Sequence, residues 1–101
     1  MFLTINNTKI HYIKKGKGQP LIFLHGIFLD TSVYKEFIDI LSSNFKVYAV
    51  DLPFHGKSGN IKGEVSVNSY YLILKGFISK LKIKNPVILA SSAGALPAIV
   101  Y

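Results

Sequence analysis

Three times along this chain a short apolar run ends abruptly in turn-forming or very small residues. Pro20-Leu21-Ile22-Phe23-Leu24 gives way to His25-Gly26, the alternating run Lys46-Val47-Tyr48-Ala49-Val50 to Asp51-Leu52-Pro53, and Pro86-Val87-Ile88-Leu89 to Ala90-Ser91-Ser92-Ala93-Gly94. Runs of four or five residues bounded this way read as buried strands. Near-continuous apolar strands belong in a parallel sheet with helices on both faces, and in such a sheet functional loops gather at the carboxyl ends of the strands. The ends of all three runs therefore belong on one edge of one sheet.

The segments between the runs supply the helices. Asp30-Thr31-Ser32 can cap a helix through Tyr34, Phe37, Ile38 and Leu41 that ends near Asn44, with those apolar residues in the core. A second helix starts near Ser66 or Asn68 and is expected to bury Tyr71, Leu72, Leu74, Ile78 and Leu81; Gly76 interrupts it but permits close approach to a strand. Gly16-Lys17-Gly18 reads as a hairpin connection, because it lacks the spacing and the following helix that phosphate cradling requires. Residues Gly59 to Gly63 read as a surface loop without chemistry, and the sequence contains no internal repeat, linker or second domain.

Ser92 has the surroundings that covalent chemistry needs. A strand turning sharply into a helix lifts a serine hydroxyl clear of the sheet, but the turn tolerates only tiny side chains two positions to either side. Ala90 and Gly94 occupy those positions. The structural alternative is an ordinary strand-to-helix loop, since small residues are common in turns. At the end of the first run, a backbone N–H just after Gly26 could help to bind a developing oxyanion.

With these pieces in order, the chain resembles the α/β-hydrolase family from end to end. Ile10-His11-Tyr12 with Gly16 and Gly18 is similar to that family's N-terminal hairpin, and Leu21 to Gly26 to its third strand with the His-Gly pair. Asp51-Leu52-Pro53 with His55-Gly56-Lys57-Ser58 resembles the loop after its fourth strand, and Ala90 to Gly94 its nucleophile elbow. The resemblance implies the N-terminal portion of an α/β-hydrolase sheet: an antiparallel hairpin, then parallel strands with helices on both faces, residues 1–101 forming a single, incomplete domain that stops just past the elbow. It implies Ser92 as nucleophile, the backbone N–H groups of Ala93 and Ile27 as oxyanion hole, and His25, Gly26 and Phe28 at the substrate site, with Phe54 and Leu29 adding to an apolar pocket. The substrate would be a small ester-like molecule: a carboxylic ester, a lactone or an amide. Serine in place of aspartate at the elbow disfavours dehalogenase or epoxide hydrolase chemistry. Three departures from the family pattern stand out: Ala90 for the first glycine of the elbow, Ser91 where many members carry histidine, and Phe54 for a glycine in the loop after Asp51.

A serine hydroxyl needs a base, and in this family the acid and the histidine follow the serine. The nine residues from Ala93 to Tyr101 contain no Asp, Glu or His, and His11, His25 and His55 all precede Ser92. The resemblance gives His25 and His55 structural or pocket-lining roles; recruiting either as base would be a convergent arrangement. The rival reading of the 101 residues is a catalytically silent remnant, or one piece of a split protein that pairs with a second chain completing the fold. Pro86 to Leu89 would then be a bare sheet edge.

Composition narrows the partners. The 12 basic and 5 acidic residues give a net charge of +7, but the lysines are scattered, with Lys14, Lys15 and Lys17 expected in the turn before the third strand and Lys75, Lys80, Lys82 and Lys84 on or beyond the second helix. No nucleic-acid-binding motif accompanies them, so the charge reads as solvated surface and nucleic acid is not an expected partner. The absence of cysteine rules out disulfides and thiol chemistry, and without metal-ligand clusters no metal or cofactor is expected. The uncharged stretch from Pro86 to Tyr101 is too short to span a bilayer and contains two prolines, which leaves it as core; with no signal peptide, a cytoplasmic location away from membranes is the default.

Overall fold

The computed structural model describes residues 1–26 and 29–91. Five strands form one mixed sheet: β1 (Phe2–Ile5), β2 (Thr8–Lys15), β3 (Gln19–Leu24), β4 (Phe45–Val50) and β5 (Val87–Ala90), in the order β1-β2-β4-β3-β5. The first three neighbours run antiparallel and the last three parallel, so the expected hydrolase-type arrangement of a hairpin feeding a parallel sheet is what the chain adopts.

The hairpin lies earlier than the sequence suggests. Asn6 and Asn7 both take left-handed backbone angles between β1 and β2, the geometry of the two-residue turn that matches strand twist. Gly16-Lys17-Gly18 is no hairpin connection: it carries the chain from β2 across to β3, and β4 fills the place between them. Gly16, at φ 90°, lies so close to the carbonyl oxygens of Ser42 and Phe45 that a side chain there would collide with both. Lys14 and Lys15 correspondingly belong to β2 itself, paired with Tyr48 and Val47 of β4.

Period-two alternation divides the strand residues between two cores. Ile22, Leu24, Tyr48 and Val50 face α2 (Val67–Lys80), where Ile73, Leu74, Phe77 and Ile78 meet them together with Ile5, Ile10 and Tyr12. Leu21, Phe23, Val47 and Ala49 face α1 (Lys35–Leu41) around Ile38. Helices thus cover both faces, as expected, although their buried sides differ in detail from the sequence reading. In α2 the buried residues fall at i, i+1, i+4 and i+5 from Ile73, which turns Leu72 to solvent and leaves Tyr71 and Leu81 only half buried. The helix packs on β1 through Gly76, where an added Cβ would overlap Ile5 Cγ2, so the close approach suggested by this glycine is real. In the first helical segment a short 3-10 turn, Thr31–Tyr34, precedes α1, and Phe37 is exposed on one side while its ring meets Phe23 at 5.6 Å.

Local chemistry fixes the helix ends. Ser66 and Ser69 exchange hydrogen bonds in a capping box at the start of α2. At its end Lys82 is left-handed, with Lys82 N–H on Ser79 O and Ile83 N–H on Ile78 O, a Schellman motif whose two apolar residues join the core. Asp30 caps the 3-10 turn by accepting from Ser32 N–H at 2.8 Å.

Candidate active site

The parallel strands β4, β3 and β5 end at the same level. Val50, Leu24 and Ala90 are register partners, and Ser91 N–H donates to Leu24 O at 3.1 Å, so the chain enters the proposed elbow pinned to the strand that runs into His25-Gly26. Of the residues expected at the site, His25 and Gly26 lie at this edge. Ser92, Ala93, Ile27 and Phe28 lie outside the described residues.

His25 is fully buried and both of its ring nitrogens are occupied. Leu52 N–H donates to Nε2 at 2.9 Å, so Nε2 carries no proton; Nδ1, 2.7 Å from Gly26 O, therefore holds the proton and donates to that carbonyl. Burial holds His25 below the usual imidazole range, and the nearby His55, with ring centroids 5.0 Å apart, adds to this against the Gly26 carbonyl. A neutral imidazole bonded in this way cannot take a proton from a nucleophile. Instead it ties the loop after β3 to the loop after β4. His55 donates from Nδ1 to Pro53 O at 2.9 Å within the same loop.

Asp51, whose role the sequence reading left open, is the second fixed point. Its side chain is 2% exposed; Oδ1 accepts from Thr31 N–H at 2.8 Å, while Oδ2 accepts from His11 Nδ1–H at 2.8 Å and Lys57 N–H at 3.1 Å. Burial alone would raise its pKa, but the two backbone N–H groups and the His11 ring outweigh it and hold the carboxyl below its ordinary value. Ser58 completes the knot: its hydroxyl donates to Asp51 O at 2.5 Å and accepts from His11 N–H at 2.8 Å. Gly56, at φ 52°, lies against the Asp51 carboxylate where no Cβ would fit. The sequence carries part of a signal for this arrangement, an aspartate ending a strand before a Pro- and Gly-containing loop, whereas the histidine partner enters only through the pairing of β2 with β4. Outside the knot, next to β2, a cleft of about 330 Å³ is lined by Ile13, Asp30, Ser32 and Lys57 among others, but the carboxylate bordering it is already satisfied.

Among the described residues no group of three or more His, Asp or Glu side chains is placed to hold a metal ion, and no helix is long and apolar enough to cross a membrane.

Sheet order, the His-Gly turn and the loop after β4 together define an α/β-hydrolase frame, and comparison with known proteins agrees. The model of the alpha/beta hydrolase fold family matches residues 19–101, and the chain belongs to that family. Curated relatives include a pimeloyl-[acyl-carrier protein] methyl ester esterase of Vibrio parahaemolyticus, 32% identical over 69 residues, covering 68% of this chain and 27% of that protein. Another is an (E)-2-((N-methylformamido)methylene)succinate hydrolase of Acinetobacter baylyi, 28% identical over 65 residues, covering 64% of this chain and 25% of its own length. Among solved structures, an alpha/beta hydrolase fold protein from Burkholderia ambifaria superposes with a TM-score of 0.90 at 22% identity over 98% of this chain and 37% of that one. An epoxide hydrolase of Bacillus megaterium does so with a TM-score of 0.85 at 25% identity, over 94% and 34% respectively. The relatives named are hydrolases, and the chain spans about a quarter of the length of these curated proteins.

Proposed function

We propose that the chain carries the nucleophile half of a serine hydrolase acting on ester-like substrates. Ser92 attacks the carbonyl carbon, its proton passes to a base, and the tetrahedral oxyanion is held by the N–H groups of Ala93 and Ile27. Collapse expels the alcohol or amine and leaves an acyl-enzyme, which water then cleaves. The observation that carries this reading is the pairing of strand ends: Leu24 and Ala90 are register partners bridged by the Ser91–Leu24 hydrogen bond, so the segments leading into Ile27 and Ser92 depart side by side. Serine, unlike aspartate, forms an acyl rather than an alkyl intermediate, which favours ester-like substrates over the epoxides named for one structural relative.

In this reading the base comes from outside these 101 residues: His25 is neutral with both nitrogens engaged, His11 is held by Asp51, and the sequence after Ser92 holds no histidine, so that labelling without imidazole that His55→Ala abolishes would assign the base to His55 instead. The curated relatives extend well beyond the matched region, and β5 pairs on one side only among the described residues. A longer polypeptide or a second chain would add its strands there and bring the acid and histidine. By itself the chain is then catalytically silent.

Labelling with a fluorophosphonate tests this, with imidazole added to stand in for the missing base. Weak labelling that imidazole enhances, and that Ser92→Ala abolishes, is expected. Labelling that persists in Ser92→Ala, or none with imidazole in a folded sample, overturns the proposal.

A further inference from the structure

Five non-glycine residues among those described have positive φ: Asn6, Asn7, Phe54, Lys82 and Asn85. Asparagine tolerates this region, and Lys82 occupies the position after a helix where a left-handed residue is the rule. Phe54 has neither excuse. It lies at φ 70°, third in a turn closed by the His55 N–H to Leu52 O bond of 3.0 Å, with Pro53 second. Proline followed by positive φ marks a type II turn, whose third position asks for glycine or asparagine.

The loop holds Phe54 there by force of its surroundings. Phe54 N–H donates to Gly59 O at 2.9 Å and Gly59 N–H to Lys9 O at 2.6 Å, while Lys57 N–H is fastened to the Asp51 carboxylate and the Ser58 hydroxyl to the Asp51 backbone carbonyl. The backbone is thus set by other residues, while Phe54 is 44% exposed and belongs to neither of the two cores. Strained, over-determined residues of this kind cluster where a side chain serves ligand binding rather than folding. Phe54 stands on the loop leaving β4, adjacent to the His25-Gly26 turn, with which the loop shares the Leu52–His25 hydrogen bond. Leu29, on the loop leaving β3, is likewise an exposed large apolar residue. The nearest buried carboxylate, Asp51, is turned inward and fully bonded, which leaves no acidic group of this knot to meet a charged substrate.

We propose that Phe54 determines acyl-group preference, its ring forming an apolar wall against which an aliphatic or aromatic acyl chain lies. The inference rests on the serine hydrolase reading and narrows its substrates to esters with apolar acyl groups. Octanoate and acetate, as non-reactive acyl mimics, test it by amide NMR on the chain, its Phe54→Leu, Phe54→Ala and Phe54→Gly variants, and Ser92→Ala. Octanoate should shift Gly26 and the amides of residues 54–59, and acetate should not. Phe54→Ala and Phe54→Gly should weaken octanoate about tenfold, the loss that roughly 55 Å² of apolar contact represents, and Phe54→Leu should restore most of it. Phe54→Gly should melt about 4–8 °C above Phe54→Ala, since both lack the ring and only glycine is at ease at this φ. Equal octanoate binding by the parent and Phe54→Ala, no octanoate shifts in the parent, or an alanine variant at least as stable as the glycine one overturns the proposal. Ser92→Ala should bind octanoate unchanged; failed serine labelling alongside intact octanoate binding sinks the catalytic reading and leaves the Phe54 contact standing.

Discussion

Replacing Asp51 with asparagine changes a single atom in a buried knot, and the structure says what that atom does. Oδ1 and its bond from Thr31 N–H survive, but an amide NH₂ now faces two donors, His11 Nδ1–H and Lys57 N–H. His11 can move its proton to Nε2 and accept from the new amide, recovering a neutral hydrogen bond; Lys57 N–H loses its partner outright. The Lys57 N–H is only part-buried, so leaving it unpaired costs about 1 kcal/mol, the low end for a donor that loses its partner, and exchanging a charge-assisted bond for a neutral one costs about 1 kcal/mol more. The expected loss is about 2 kcal/mol, which for a chain of this size lowers Tm by roughly 8–16 °C. Asp39→Asn serves as the control: its bond to Lys15 joins two half-exposed side chains, and such pairs are worth about 0–1 kcal/mol. The deficit must also depend on pH. Because the folded-state pKa of Asp51 is depressed, its contribution is fully present above the unfolded value of about 3.9 and is lost as pH falls through the lower folded value. Thermal melts at pH 7 and across pH 2–5 therefore should show a gap between parent and Asp51→Asn that holds down to about pH 4 and narrows below it. A gap under about 3 °C at pH 7, or one that stays constant down to pH 2, refutes the reasoning.

Three further perturbations probe other parts of the frame. Ser66→Ala removes half of the capping box on α2 and should cost about 1 kcal/mol in urea melts; no change would mean that tertiary packing alone holds that end. Gly76→Ala would gain about 1 kcal/mol in an exposed helix, but here the methyl meets the buried Ile5, and overpacking of about 1–3 kcal/mol should turn the gain into a lower urea midpoint; a higher midpoint would place α2 farther from β1 than the structure does. Val87 and Leu89 are exposed on β5, so the pair Val87→Lys and Leu89→Lys should reduce self-association in sedimentation velocity while leaving Tm within about 4 °C, and unchanged association would mean that this edge is not the sticky one.

The three parallel strands were legible because each is an apolar run with its own stop signal, and their shared level follows from parallel pairing alone; β1 and β2, each broken by polar residues, carry no such run. Their order was not. Placing β4 between β2 and β3 is a long-range choice, and Gly16-Lys17-Gly18 has local chemistry equally suited to a hairpin; what decides is that Gly16 must pass beneath the carbonyls of Ser42 and Phe45. The buried face of α2 is legible only in part, with Leu74, Ile78 and Leu81 on the core as expected and Leu72 turned away from it, for a related reason. From Val67 to Ile78 that helix has apolar residues on every side, so periodicity cannot choose a face; the contact of Gly76 with Ile5 rotates Ile73 and Phe77 inward and Leu72 outward. At the site, the positions of His25 and Gly26 were readable from the run they terminate, whereas the Asp51 knot joins residues 40 positions apart in sequence and becomes visible only when β2 lies against β4.

The same wiring separates building the site from operating it. Leu52 N–H on His25 Nε2 locks the ends of β3 and β4 together, Ser91 N–H on Leu24 O locks β5 to β3, and Asp51 binds the loop after β4 to β2 and to the turn before α1. Every partner in these contacts lies within the described residues, so the edge proposed to carry Ser92 is held without help from the general base or the acid that would orient it. A histidine spent on Leu52 N–H cannot also serve the serine, and freeing it would cut the tie between the two loops. The fold has therefore committed His25 to structure, as it has His11 to Asp51, and the proposed chemistry requires the general base to come from elsewhere.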